Sequence, residues 1–350
     1  MNKKLIAVAI AAAVAAPAAM ANDTTLYGKV HMSINNANDQ WNVQSHSSRL
    51  GVKGSEDLGN GLKAIFKYEM GYNGTDSSTA IGGARNSYIG LAGGFGTFVV
   101  GRHDTPAKVA FYAAGNERLG DSIIDLNNNF GFDELRTSNA IAYISPSFSG
   151  LTVAAAIVPG ETPSSTTSTS WVDANGDSVV DAGEVTTSTS GLNNPSADGL
   201  ADAYSIGVMY AGNGVKAGIG YTNGDDLVGA DAELLNIGAS VSIDMFSVGA
   251  QYQETSVGTR DRDSWAITGT ANFGNNQLIA IYGQSDDDAV TDGDRDTFGL
   301  AIKHTMSKRT AVYAAYRNDD GKSGLSRNWI GNGGTTQVDD AFGIGMIHNF

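Results

Sequence analysis

The chain predicts an all-β fold: a transmembrane, antiparallel, up-and-down β-barrel of about sixteen strands. Three observations predict it. First, 41% of the 350 residues are hydrophobic, yet past the N-terminal leader no stretch reaches the ~18 consecutive apolar residues that a membrane helix needs. Second, apolar residues recur at every other position in short runs, the period of a strand with one apolar face. Third, the last ten residues read AFGIGMIHNF. Phe342, Ile344, Met346 and Phe350 share one parity, while Gly343, Gly345, Ile347 and Asn349 share the other. Such a strand suits lipid on one side and water on the other. Only a closed barrel crosses a bilayer with segments this short, because it pairs every backbone group between strands.

Taken in order, the chain opens like a secretory signal. Lys3 and Lys4 precede an apolar run from Leu5 to Val14, and Ala19-Met20-Ala21 fits the small-x-small cleavage pattern. Residues 1–21 are therefore expected to be a signal peptide and residues 22–350 the barrel. Losing Lys3 and Lys4, and no acid, moves the formal charge from −15 to −17. The alternation is clearest later on. Tyr204, Ile206, Val208 and Tyr210 form one set. Val215, Ala217, Ile219 and Tyr221 follow across Ala211–Gly214, a hairpin signal. Then come Leu235–Val241, Phe246–Tyr252 and Trp265–Phe273. Short turns are expected near Leu58–Gly61, Gly93–Gly94, Pro146–Gly150, Gly212–Gly214, Asp244–Met245, Gly274–Asn276 and Ser307–Lys308. Longer links are expected at 35–46, 73–83, 104–134, 159–201, 224–231, 256–263, 286–295 and 319–338. Seven turns and eight links make sixteen strands, with the Thr24–Ile34 strand closing against Ala341–Phe350. Segments 135–145 and 277–285 fit either parity, so fourteen or eighteen strands also fit. Around Arg85–Leu91 neither parity is purely apolar, which suits either an outer face against another subunit or a weak signal.

Composition excludes several functions. Cysteine is absent, so there is no disulfide framework, thiol nucleophile or thiolate metal site. The acidic balance argues against nucleic acid. None of the five histidines lies in an HExxH, and no GxSxG is present. His46 stands among Ser45, Ser47 and Ser48, but adjacent strand residues face opposite ways. The chain is read as no enzyme.

The ordered segments LYGK at 26–29, SRLGVKGSEDLGNG at 48–61, GFGT at 94–97 before Gly101-Arg102, NAIAYISP at 139–146 and the terminal Phe350 resemble the general porins of Gram-negative bacteria. The resemblance covers the whole expected mature chain. It implies a sixteen-stranded homotrimer in the outer membrane, amid lipid and lipopolysaccharide, passing small hydrophilic solutes and ions by diffusion. It also implies that Phe350 is read by the barrel assembly machinery. Short turns would face the periplasm and long loops the outside. A substrate-specific channel and a secreted adhesive β-protein are the alternative readings.

In that family the third loop folds into the pore and sets its acids opposite a basic wall. Here that loop is 104–134. Its candidate constriction acids are Glu117, Asp121 and Asp125, with Asp104, Asp133 and Glu134 at its ends and Lys108 and Arg118 as its bases. The wall positions matching the family pattern are Lys29, Arg49, Arg85 and Arg136. Parity independently turns Lys29, Arg49 and Lys53 to the lumen, whereas Arg102 shares parity with Phe98 and Val100. Charged rings around a narrow passage set ion preference. The acidic loop and overall charge predict a modest preference for cations.

A separate motif lies in the longest link. Asp173, Asn175, Asp177, Val179, Asp181 and Glu184 match the ligand spacing of a twelve-residue calcium loop. Ser178 stands where that loop carries glycine, and the flanks do not read as helices. Calcium is thus a possible cofactor of this loop, with none required by the pore. Acids at Asp286–Asp288 and Asp292–Asp296 lie in expected outer loops, where divalent cations could be shared with lipopolysaccharide.

Overall fold

The computed structural model describes residues 23–75, 81–160, 166–171, 185–190, 199–225, 230–288, 293–320 and 340–350. The expected signal peptide at 1–21, the calcium motif at 173–184 and Asp292 lie outside the described residues.

Strands β1 (Asp23–Ala37), β2 (Gln40–Ser45), β3 (Arg49–Gly59), β4 (Leu62–Tyr72), β5 (Ile81–Gly93) and β6 (Gly96–Asp104) form the first part of one sheet. Two helices follow, α1 (Pro106–Ala113) and α2 (Leu126–Asn129). The sheet resumes with β7 (Arg136–Ile144) and β8 (Leu151–Val158). It continues through β11 (Ala203–Gly212), β12 (Val215–Gly224), β13 (Ala232–Ile243), β14 (Phe246–Val257) and β15 (Arg260–Phe273). It ends with β16 (Asn276–Asp287), β17 (Arg295–Thr305), β18 (Thr310–Asp319) and β19 (Asp340–Asn349). All neighbours are antiparallel, and β1 pairs with β19 from Lys29↔Asn349 to Ala37↔Ala341, which closes the barrel. Strands β2 and β3 are one barrel strand interrupted at His46–Ser48, and both pair with β1. Counted so, the barrel has sixteen strands, which removes the fourteen- and eighteen-strand alternatives. The remaining strands, β9 (Thr166–Trp171) and β10 (Val185–Ser190), form a separate two-stranded ladder. They lie within the link 159–201, where threonine-rich runs favour extended backbone.

The barrel is inside out relative to a water-soluble protein. On β1, Leu26 and Ile34 are 61% and 55% exposed while His31 and Asn35 are 0% and 2%. Outward side chains meet lipid and inward polar ones line the lumen. Among the described residues, outward tyrosines near the long-loop ends donate to carboxylates one strand on. These pairs are Tyr221–Glu233, Tyr252–Asp263, Tyr282–Asp296 and Tyr316–Asp340, at 2.9, 2.7, 2.8 and 2.6 Å. An amphipathic ring with its hydroxyl toward water suits the edge of an apolar band.

Closure depends on the C-terminus. Gly28 and Phe350 exchange two backbone hydrogen bonds, each 3.1 Å. The Phe350 ring lies where a side chain on residue 28 would stand, so only glycine fits there.

All seven short turns fall where the sequence put them. Two expected links are instead tight hairpins. Asn38 and Asp39, at φ 49° and 61°, join β1 to β2, a pair suited to the mirror-image turns of hairpins. Gly258, at φ 62°, and Thr259 join β14 to β15. Polar residues there extend the ladder past the membrane edge, so polarity was mistaken for loop. At Arg85–Leu91, β5 carries an extra residue against β4 between Ala84 and Ser87, and beyond it Tyr88 faces inward opposite Lys67 and packs by Val99.

The segment between β6 and β7 turns inward and packs on the far inner wall. Phe111, Ile124, Leu126, Phe130 and Phe132 of this loop are buried against Ala266, Ile279, Ile281, Ala301, Tyr313 and Ala315. This explains why 277–285 fits either parity: Ile279 and Ile281 are inward yet apolar, because the loop covers them. Helix α1 lies on β11 and β12, where Gly207, Gly218 and Gly220 leave room for its backbone. A side chain on Gly218 would meet the Ala110 carbonyl. Gly218→Leu should therefore lift α1 from the wall, at an overpacking cost of about 1–3 kcal/mol. The expected result is a refolded barrel with altered, noisier single-channel conductance; wild-type conductance would contradict this seating of α1.

Candidate functional site

The inward loop is held at its neck, along its body and at its tip. At the neck, Thr105 caps α1 by accepting from the Lys108 N–H at 3.2 Å, and its own N–H donates to the Leu135 carbonyl at 3.1 Å. Lys108 bridges Asp104 and Glu134 at 3.3 and 2.8 Å, and Arg136 pairs with Asp104 at 2.7 Å. Along the body, inner-wall side chains take the loop's backbone groups in turn. Ser205 accepts from Ala107 N–H at 3.1 Å, Asn236 donates to the Ala107 carbonyl at 3.1 Å and Ser240 to the Ala114 carbonyl at 2.6 Å. Gln253 and Ser264 donate to the Asp133 and Gly131 carbonyls, both at 2.9 Å. Arg262 pairs with Asp133, and Arg317 binds both Asn129 and the Ile123 carbonyl.

At the tip, Asp121 takes a left-handed conformation, φ 52°, and its carboxylate meets Lys29 of β1 at 3.0 Å. Burial alone would raise this carboxyl, but the Lys29 charge and hydrogen bond outweigh it and hold it at about 2. The other two candidate acids do not face the wall. Glu117 accepts from Gly120 and Leu126 N–H, both at 2.8 Å, and so staples the loop to itself. Asp125 caps α2 and hydrogen-bonds Glu117. Burial, with the Glu134 charge, raises the Glu117 carboxyl, and burial, with the charges of Glu117, Asp121 and Glu134, raises that of Asp125. The expectation that all three acids line the passage is thus corrected to Asp121 alone. Glu117 and Asp125 instead supply acceptors that the loop's irregular backbone needs.

On the facing wall, Arg49, Lys67 and Arg85 surround Glu69 at 4.0, 3.2 and 2.8 Å, and the Tyr27 hydroxyl donates to Glu69 at 2.8 Å. Lys53 lies over the Tyr27 ring, 5.3 Å from its centre. Lys29, Arg49, Lys53 and Arg85 thus belong to one wall cluster near Asp121. Arg136 does not, because Asp104 and Asn86 hold it at the loop's neck. Sequence reasoning missed Lys67 and Glu69. Their signal was legible: in Phe66-Lys67-Tyr68-Glu69-Met70 both alternate with apolar neighbours, as Lys29 does. His46 bonds not its neighbouring serines but Ser33, across the ladder on β1.

The sixteen-stranded barrel matches known proteins. A family model described as Gram-negative porin covers residues 7–324. The chain belongs to the Gram-negative porin family. Among curated relatives, this porin is 36% identical over 168 residues to the major outer membrane protein P.IB of Neisseria meningitidis. That match spans 43% of this chain and 47% of the relative, about half of each. Among solved structures, an anion-selective porin from Comamonas acidovorans superposes with TM-score 0.68 at 20% identity, over 94% of this chain and 100% of that one. The trimer form of OmpT from Vibrio cholerae gives 0.64 at 16%, again over 94% and 100%. These two likenesses concern the fold.

The porin's loop carries opposite pH dependences. The raised carboxyls of Glu117 and Asp125 make the folded loop take up protons, so their contribution improves as pH falls toward the ordinary carboxylate range. Asp121 runs the other way: its tie to Lys29 stabilises above the ordinary value and is lost as pH falls toward about 2. Asp125→Asn should therefore raise the melting temperature of the detergent-solubilised protein at about pH 8 and lose that gain as pH falls into the ordinary carboxylate range, about 4. A gain independent of pH would contradict the raised carboxyl of Asp125.

Proposed function

We propose that the chain forms a water-filled channel in the outer membrane for passive diffusion of small hydrophilic solutes and ions, as a homotrimer and without enzymatic activity. The support is family membership together with a lumen narrowed between a clamped loop and a charged wall. Trimeric forms among the structural neighbours support the assembly. Contacts with lipid and lipopolysaccharide on the outer face, and recognition of the Phe350 strand by the barrel assembly machinery, belong to the same proposal.

The observation that carries the selectivity reading is the local charge at the constriction. Lys29, Arg49, Lys53, Lys67 and Arg85 are opposed there by Glu69 and Asp121. Glu117 and Asp125 are turned into the loop and hold protons more readily than ordinary carboxylates do. Short-range charge dominates in a screened pore, so the constriction favours anions. This runs opposite to the modest cation preference expected from the acidic loop and the −17 balance of the expected mature chain. The test is the reversal potential across a salt gradient in a planar bilayer. Anion preference is expected, and Lys53→Glu, an exposed position, should move the potential toward cations. A cation-selective wild type would sink this reading.

Calcium binding by Asp173, Asn175, Asp177, Val179, Asp181 and Glu184 is a second proposal. It is supported by the ligand spacing and by the pairing of Trp171 with Val185, two described residues that flank the motif. Calorimetric titration should give calcium heat in the wild type and none in Asp173→Ala/Glu184→Ala. Equal heats would end it.

A further inference from the structure

On the short-turn side of the loop, the far wall carries a second group of bases, separate from the constriction cluster. Lys216 of β12 follows the Asn213–Gly214 turn, and its side chain lies along Gly115. Lys303 of β17 sits near that strand's short-turn end and donates to the Arg118 carbonyl at 3.5 Å. The Arg118 guanidinium rests on Ser247 Oγ of β14 at 3.3 Å. Among the described residues, no carboxylate forms an ion pair with any of the three. Glu117 is adjacent in sequence, but its carboxylate is committed to Gly120 and Leu126.

Two buried polar groups here lack hydrogen-bond partners: Arg118 Nε and the hydroxyl of Thr270. Thr270 stands directly across from Ser247 on the same inner face, and both residues are buried. Half-buried like charges disfavour one another, and unpartnered buried donors are rare and costly. An oxyanion would relieve both. It would accept from the planar guanidinium, the ammonium and the hydroxyls, the donor set that suits phosphate or carboxylate groups.

We infer that Arg118, Lys303, Ser247 and Thr270 form a binding site for a small oxyanion on the short-turn side of the loop, with Lys216 as a further positive charge at its approach. As a station for solute traffic the site rests on the anion preference proposed above; as a binding site it does not. It gives an anion that has passed the constriction a second place to rest, and two-site occupancy is how a pore combines attraction with release.

Inorganic phosphate is the probe. It is titrated into chloride on both sides of a bilayer holding single channels, and the fall in chloride current is read. The wild type should show saturable reduction. Lys303→Gln and Arg118→Gln should each raise the half-effect concentration by about tenfold, and Lys303→Arg should stay near wild type. Mobility shift on boiling confirms that each variant is folded. No saturation in the wild type, or the same half-effect concentration in the folded Gln variants, would overturn the site. A cation-selective wild-type reversal potential would sink the preference alone, since the phosphate titration reads the site independently.

Discussion

The pore depends on one interaction: the apolar face of the inward loop against the inner wall of β11–β19. A lumen wall ought to be polar throughout, yet Ile279, Ile281, Ala301 and Ala315 face inward and are buried. They are apolar because Phe111, Ile124, Leu126, Phe130 and Phe132 cover them. Burial of this kind contributes roughly 25 cal/mol per Å² of apolar area. It also excludes water from the hydrogen bonds that Ser205, Asn236, Ser240, Gln253 and Ser264 make to the loop backbone. A segment with little regular structure is thereby given partners for its backbone groups, which burial requires. The loop behaves as part of the wall.

The electrostatics follow from that placement. Because the loop occupies the side of β11–β19, open lumen is left against β1–β5, and those strands carry the bases. Asp121 at the tip reaches Lys29, while Glu69 holds Arg49, Lys67 and Arg85 together by their shared counter-charge. Three like-charged side chains would otherwise splay apart. Most of the acids that make the chain strongly negative lie elsewhere; four of them, Glu233, Asp263, Asp296 and Asp340, take up outward tyrosines. The overall charge of the chain and the charge of its constriction are thus different quantities, with opposite sign.

Much of the barrel was legible from residue order. Strands that separate lipid from water alternate cleanly, so β11–β15, β19 and all seven short turns stood out. The alternation failed where a second constraint acted. At 277–285 the covering loop made the inner face apolar too. At Arg85–Leu91 a bulge between Ala84 and Ser87 and an inward Tyr88 mixed the two faces. At 35–46 polar residues belong to a hairpin that rises past the membrane edge. The site was only half legible. Lys29, Arg49 and Lys53 were visible by parity, and Lys67 and Glu69 by the same unused signal. That Glu117 and Asp125 turn inward was not visible, because their partners are backbone N–H groups whose positions depend on the tertiary path of the loop. Arg136 matches the family's wall pattern, but the ion pairs at the loop's neck claim it.

The central claim is that the loop stays fixed to the far wall while solutes pass. The chain has no cysteine, so a tether can be introduced without background. A side-chain carbon on Gly299 would lie 3.2 Å from Cβ of Ile124, within a small adjustment of the ~3.8 Å typical of disulfides. Ile124→Cys/Gly299→Cys should cross-link on oxidation in the folded barrel, with the same single-channel conductance oxidised and reduced. Failure to cross-link, or a conductance that changes when the bond is reduced, would contradict the account.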